Sequence, residues 1–181
     1  MDIKITITGI ALLLCTMVAG QTTLLDGKFV FTMHQQTRTY QVKVVEKGDS
    51  VYADWKTYYN FHWLAGRYAM EKASLKNGDA LSWLQPIDGK VENLKKNETF
   101  GFISRKALAD LRTKGYFLYN QTVYRLNTQS PPKETFGGIP LLAVVADVAA
   151  TEMWIVDNDG LPVIVRLSNN PLGIDWVVSD R

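Results

Sequence analysis

Short runs in which apolar and polar side chains alternate dominate the sequence after residue 20. Phe29, Phe31 and Met33 alternate with smaller or polar residues, and the run over residues 40–44 repeats the pattern. Alternation with a period of two is typical of a half-buried β-strand. A turn sequence at residues 47–50, which contains a glycine, separates these runs from the next one, and this predicts an antiparallel hairpin. No series of strands alternates with helices, which argues against a parallel βαβ sheet.

Turn residues divide the rest of the chain into further short strands. The clearest hairpins are predicted at residues 116–126 and 152–167, around Asn120-Gln121 and Asp157-Asn158-Asp159-Gly160. The other strands are predicted at residues 67–70, 80–84, 98–103, 141–146 and 174–178, and residues 128–138 are expected to form a loop. We count about ten to twelve strands on these signals.

One helix stands out against this background. Ser104 is a suitable N-cap, Gly115 a suitable C-terminal stop, and Ala107, Leu108 and Leu111 share one face. A weaker helical turn is expected at residues 71–76. The sequence therefore predicts a mainly β (α+β) fold, a curved antiparallel sheet or open β-barrel with one packed helix.

Length and charge set the domain organisation and exclude some partners. With 181 residues, 46% of them hydrophobic, the chain is long enough for one domain with its own core. We expect a single β-rich domain over residues 21–181. A net charge of +2 gives no concentrated basic field, so nucleic acid is not an expected partner.

The first twenty residues resemble a secretory signal peptide. Lys4 precedes an uncharged, mostly apolar run over residues 5–18, and Val18-Ala19-Gly20 then offers a cleavage site before Gln21. A retained anchor and a cytoplasmic N-terminal strand are the alternatives. We expect a signal peptide over residues 1–20 and export to the periplasm or cell surface of a Gram-negative bacterium.

Cys15, the only cysteine, lies inside this N-terminal segment. Lipidation of Cys15 is an alternative to cleavage, but Leu14 is larger than the residue that normally precedes a lipidated cysteine. Cleavage before Gln21 would leave a mature chain without a disulfide or a thiol nucleophile, which fits a bacterial periplasm better than a eukaryotic secreted domain.

Catalytic and metal motifs are scarce. The chain has two histidines, His34 and His62, in no zinc-protease spacing, and it has no phosphate-binding glycine motif. The loop that begins at Asp157 carries Ser168 where a calcium-binding EF-hand has its glutamate, so it is better explained as a hairpin turn. We name no catalytic residue, metal ligand or cofactor, and expect His34 to be a strand residue that faces solvent or lies at the rim of the sheet.

The most unusual local composition is the segment YADWKTYYNFHW at residues 52–63, in which six of twelve residues are aromatic. Aromatic rings with polar edges are suited to sugar or amphiphile pockets. The alternative is that half of these rings fill the core. The candidate ligand-binding residues are Tyr52, Trp55, Tyr58, Tyr59, His62 and Trp63.

The C-terminal stretch carries a resemblance to known proteins. EMWIVDN at residues 152–158, LPVIVR at 161–166 and NNPLGIDW at 169–176 resemble the end of a group of exported proteins of unknown function from Bacteroides-type bacteria. The segment LDGKFVF at residues 25–31 is similar in style. The strand, turn and returning strand also resemble periplasmic lipoprotein-carrier half-barrels, in which a curved antiparallel sheet wraps a helix and holds a lipid chain. Neither resemblance assigns catalytic residues.

Three functions follow as expectations. The first is an exported, non-enzymatic protein that binds a lipid-like or other amphiphilic ligand through the aromatic segment. The second is a cell-envelope module in which the same aromatic residues dock another protein. The third is a carbohydrate-active enzyme that pairs two carboxylates across a groove; the candidate acids in predicted strands are Asp54, Glu98, Glu152 and Asp175.

Overall fold

The computed structural model describes residues 20–33, 35–129 and 131–180. The predictions for the signal peptide, Cys15 and His34 therefore lie outside the described residues, apart from Gly20. Within the described part of the chain the elements are, in order, β1 (Thr22–Met33), β2 (Gln36–Lys47), β3 (Ser50–Tyr59), β4 (His62–Glu71), α1 (Lys72–Asn77), β5 (Ala80–Leu81), β6 (Val91–Asn93), β7 (Glu98–Thr99), α2 (Arg105–Lys114), β8 (Tyr116–Tyr119), β9 (Thr122–Leu126), β10 (Thr135–Phe136), β11 (Ile139–Ala146), β12 (Glu152–Val156), β13 (Ile164–Ser168) and β14 (Ile174–Asp180).

One large sheet contains most of these strands. Its order is β6-β4-β3-β2-β1-β14-β13-β12-β11-β9-β8, with β10 paired to β11. All its pairs are antiparallel except β4–β6, and β5 and β7 form a separate parallel pair. The large sheet is curved and does not close on itself, so the expected mainly β fold with a curved, antiparallel sheet is confirmed.

Strand alternation gives the sheet two unlike faces. Phe29, Val42 and Trp55 are buried on the side that faces the core, which we call the inner face, whereas Lys43 and Lys56 lie on the outer face. The β1–β14 pairing joins the four-stranded N-terminal meander to the C-terminal strands. The core cluster continues across this junction, because Trp176 and Val178 of β14 are buried opposite Phe31 and Phe29.

The predicted helix is confirmed as α2. The Ser104 hydroxyl accepts a hydrogen bond from the Ala107 N–H at 3.2 Å, and Gly115 ends the helix with a φ of 76°. Leu108 and Leu111 are buried in the core. The weaker helical turn is confirmed as α1, so the described residues form two helices, and Leu75 of α1 is also buried in the core. No helix within the described residues is long and apolar enough to cross a bilayer.

Two predicted strands are shorter than expected. The run at residues 80–84 pairs only as β5, and residues 82–87 then continue without regular structure. The run at residues 98–103 pairs only as β7, because Gly101 takes a φ of 71° that ends the extended backbone. Phe102 makes an isolated bridge to Val163 instead. The loop predicted at residues 128–138 is largely confirmed but contains the two-residue strand β10.

Candidate functional site

A cavity of about 540 Å³ opens at one end of the inner face. One wall is formed by β1, β2 and β3 near the turn that joins β1 to β2, together with the start of β14. The other wall is formed by residues 82–86, which run opposite the sheet. The side chains and backbone that line it are mostly aromatic or aliphatic; they include Phe31, Met33, Tyr40, Val42, Trp55, Tyr59, Tyr68, Trp83, Leu84, Phe100, Ile174 and Trp176.

A chain of ring contacts forms the apolar wall of this cavity. The Tyr40 ring lies edge-on to both Trp55 and Phe31, at centroid distances of 5.8 Å and 5.5 Å. Phe31 continues the chain to Trp176 at 5.5 Å, and Trp176 contacts Trp83 at 6.1 Å. Tilted and edge-on pairs at such distances are favourable arrangements for aromatic rings. The wall is therefore held in shape by residues from five separate segments, namely β1, β2, β3, β14 and residues 82–86.

A glycine on the neighbouring strand sets the position of Trp55. Gly66 pairs with Trp55 across β3 and β4, and a Cβ at Gly66 would lie 2.5 Å from Cζ2 of the indole. The ring thus occupies the space that any other residue at position 66 would fill. The indole N–H is buried and has no hydrogen-bond partner among the described residues. Trp55 consequently offers an unsatisfied donor in a residue that lines the cavity.

Tyr68 connects the sheet to the segment opposite it. Its hydroxyl donates a hydrogen bond to the Leu84 carbonyl oxygen at 2.8 Å, which anchors residues 82–86 above the inner face. Burial raises the pKa of Tyr68, and the negative charge of Glu92 raises it further. The phenol therefore remains a neutral donor at physiological pH.

Arg38 supplies the positive charge at the cavity mouth. Its Nη1 donates to the Tyr40 hydroxyl at 3.5 Å, and its Cζ lies 4.5 Å from the centroid of the exposed Tyr59 ring. The hydrogen bond to Tyr40 raises the pKa of Arg38, so the guanidinium stays charged. Within the described ranges no carboxylate oxygen comes within 4.0 Å of it. Its charge is therefore available to an anionic group.

Carboxylates do not line this cavity in the described part of the chain. Three of the four candidate acids have local partners. Asp54 accepts from Arg67 Nη2 at 2.9 Å, Glu98 lies 3.2 Å from Lys95 Nζ, and Asp175 accepts from a backbone N–H at 3.2 Å. The fourth, Glu152, sits on β12. No set of three His, Cys, Asp or Glu side chains among the described residues forms a metal-binding group.

The six residues predicted from the aromatic segment divide between the two faces. Trp55, Tyr59 and His62 belong to the inner face, although His62 is exposed and its Nδ1 contacts the Asn60 carbonyl oxygen at 2.9 Å. The others belong to the outer face: Tyr52, Tyr58 and Trp63. Trp55 and Tyr59 line the cavity, as does Tyr58 at its rim. Tyr52 and Trp63 lie away from it on the outer face, whereas His62 belongs to the inner face but is not a lining residue.

Sequence reasoning missed most of the cavity wall. Phe31, Arg38, Trp83 and Trp176 lie outside the aromatic segment, and the sheet order brings three of them together through the β1–β2 and β1–β14 pairings. The alternation around Phe29 and Phe31 was a usable signal for the inner face of β1. Nothing local in the sequence indicated that residues 82–86 lie against that face.

Comparisons with protein-family models, with curated proteins and with solved structures give no match to this chain. Its function is therefore argued from the geometry and chemistry of the cavity.

Proposed function

We propose that this is an exported, non-enzymatic protein that binds a lipid-like or other amphiphilic molecule on the inner face of its sheet. The observation that carries the proposal is the open cavity with an apolar, aromatic wall and, among its described lining residues, one cationic side chain, that of Arg38. The signal-like sequence of residues 1–20 supports export to the periplasm or cell surface. The resemblance to lipoprotein-carrier half-barrels supports the same class of ligand.

The size and lining of the cavity favour an acyl chain or a comparable apolar group. Small-molecule sites typically enclose about 300–1,000 Å³ and combine apolar walls with few polar groups. A cavity of about 540 Å³ falls within this range. Burial of apolar ligand surface against Phe31, Trp55 and Trp176 would supply the main driving force.

The Arg38 guanidinium favours a ligand with an acceptor-bearing head. It has free hydrogen-bonding capacity at the mouth of the cavity. Arginine binds carboxylate and phosphate oxygens through its planar array of donors. We therefore propose that the apolar part of the ligand lies against the aromatic wall and its anionic head contacts Arg38.

Tryptophan fluorescence offers a direct test, because three of the five tryptophans line the cavity: Trp55, Trp83 and Trp176. A fatty acid brominated along its chain should quench this emission saturably, whereas the unbrominated acid should not. Trp63→Phe and Trp154→Phe are matched controls that remove the other two indoles and should preserve the quenching. Quenching that never saturates, or that Trp63→Phe abolishes, would place the ligand elsewhere.

A protein-docking function is the second candidate. It is favoured by a cluster of exposed aromatic residues at the β3–β4 hairpin, where Tyr58, Phe61 and Trp63 are 57%, 93% and 56% exposed. In that case crosslinking in the native envelope should capture a defined partner, and cavity-lining variants should not change the capture. The carbohydrate-active alternative has less support, since the described cavity lining contains no carboxylate pair.

A further inference from the structure

The hairpin that joins β3 to β4 has an unusual turn. Asn60 and Phe61 have φ values of 48° and 65°, and Tyr59 pairs with His62 across them. Two left-handed residues between paired strands define the turn type that normally prefers Asn-Gly. Phe61 occupies the glycine position and is 93% exposed, so it combines an unfavourable backbone conformation with an unburied aromatic ring.

A second hairpin in the same chain provides a comparison. Asn120 and Gln121 join β8 to β9 with φ values of 49° and 61°, nearly the same conformation. There the second position carries a polar residue that water solvates well. The turn geometry therefore does not require an aromatic residue at Phe61, and folding alone leaves its exposure unexplained.

The surroundings of Phe61 are also aromatic. Tyr58 and Trp63 pack against each other on the outer face with ring centroids 5.4 Å apart, and Tyr59 is 45% exposed on the inner face. Tyrosine and tryptophan are the residues enriched where a protein meets the headgroup region of a bilayer. We call these four residues, Tyr58, Tyr59, Phe61 and Trp63, the aromatic tip.

The charge around the aromatic tip is suited to an anionic surface. Residues 55–65 contain no acid. Lys56 lies 5.4 Å from the centroid of the Trp63 ring, and Arg38 stacks over Tyr59. Asp88 accepts a hydrogen bond from the Ala65 N–H at 2.8 Å, at the base of the tip. Cations beside exposed aromatic rings are typical of a protein that attaches to anionic lipid.

We infer that the aromatic tip attaches the protein to the surface of a bilayer that contains anionic phospholipid, with Phe61 inserted among the lipids. Tyr58 and Tyr59 also line the cavity, so attachment would bring the mouth of the cavity to the membrane. This inference extends the proposed function, because it gives an amphiphile a short path between bilayer and cavity. It depends on the conformation of the β3–β4 turn, the exposure of Phe61 and the cations beside the aromatic tip. These observations do not depend on which ligand the cavity binds.

Vesicle flotation tests the inference with a substitution based on the Asn120-Gln121 turn. Phe61→Gln reproduces the Asn-Gln pair of the second hairpin and should leave the melting temperature unchanged or higher. Wild type should float with vesicles of phosphatidylcholine and phosphatidylglycerol, and Phe61→Gln should partition about tenfold more weakly or worse, the loss expected for one inserted phenylalanine. Val148→Ser is the matched control, since Val148 is 71% exposed on a different turn.

The outcomes separate the two proposals. Flotation that depends on Phe61 but not on Val148 supports membrane attachment, and a blue shift of emission that Trp63→Phe removes supports it further. Absence of wild-type flotation, or equal flotation of Phe61→Gln, overturns it and leaves the aromatic tip as a surface for a protein partner. Without vesicles, a brominated fatty acid should quench Phe61→Gln and wild type equally. If it quenched neither protein, that result would count against ligand binding in the cavity but not against membrane attachment.

Discussion

Substitution of Gly66 by alanine tests the cavity wall, because the packing around Gly66 predicts a loss of stability rather than a gain. The φ of Gly66 is not in the left-handed region, so alanine would ordinarily stabilise a strand at this position by restricting the unfolded chain. Here, however, the new Cβ would lie 2.5 Å and 2.8 Å from two atoms of the Trp55 indole. It would also lie 3.0 Å from the Ile87 carbonyl oxygen, which limits movement of the strand away from the ring.

Relief of this contact requires the indole to move by about 1 Å to reach an ordinary carbon–carbon separation. Overpacking of this kind costs about 1–3 kcal/mol. For a domain of this size the melting temperature should fall by about 2–12 °C. Since the displaced ring also forms the cavity wall, the affinity for an amphiphile should fall with it.

Thermal denaturation followed by circular dichroism measures the first effect, and titration with a brominated fatty acid measures the second. The control is the same substitution in a Trp55→Leu background, where the clash is absent and Gly66→Ala should be neutral or stabilising. Such non-additivity identifies a direct contact between the two positions. A Gly66→Ala variant as stable as wild type in both backgrounds would refute the described packing of Trp55 on β4.

Three further substitutions test the mouth, the opposite wall and the core. Arg38→Gln should weaken binding of a fatty acid about tenfold or more but leave binding of its methyl ester unchanged, because only the acid presents a charge to the guanidinium. Equal losses of affinity for the acid and the ester would show that Arg38 does not bind the head group. Tyr68→Phe should lower ligand affinity by releasing Leu84, and an unchanged affinity would show that this hydrogen bond does not hold the segment in place. Tyr119→Phe should destabilise the fold by about 1–3 kcal/mol in chemical denaturation without changing ligand affinity, because its hydroxyl accepts from the buried Ser104 N–H at 3.1 Å; a stability equal to wild type would contradict this.

Local signals in the sequence predicted the long strands and the main helix, but not the short strands or the cavity. Alternation predicted the long strands, and the Ser104 cap and Gly115 stop predicted α2, because both depend on neighbours in sequence. The pairing of β1 with β14 joins residues at opposite ends of the chain. No periodicity specifies such a partner, so the contact between Phe31 and Trp176 could not be predicted.

The aromatic segment at residues 52–63 shows, within a single hairpin, that composition alone does not predict which side chains share a face. Its composition indicated a site, but strand alternation sends Trp55 and Tyr59 to one face and Tyr58 and Trp63 to the other. The alternation in β3 is by itself enough to separate Trp55 from Tyr58. The significance of Phe61 required its backbone conformation, which the sequence does not reveal at a turn that lacks glycine.

The central claim is that the inner face holds an amphiphile with its chain on the aromatic wall and its head at Arg38. The most direct measurement is a crystal structure of the protein with a brominated fatty acid, in which anomalous scattering locates the bromine. The proposal predicts bromine density among Phe31, Trp55 and Trp176 and a carboxylate within hydrogen-bond distance of the Arg38 guanidinium. Bromine found only outside the cavity, with the cavity unoccupied by the acid at saturating concentration, would contradict it.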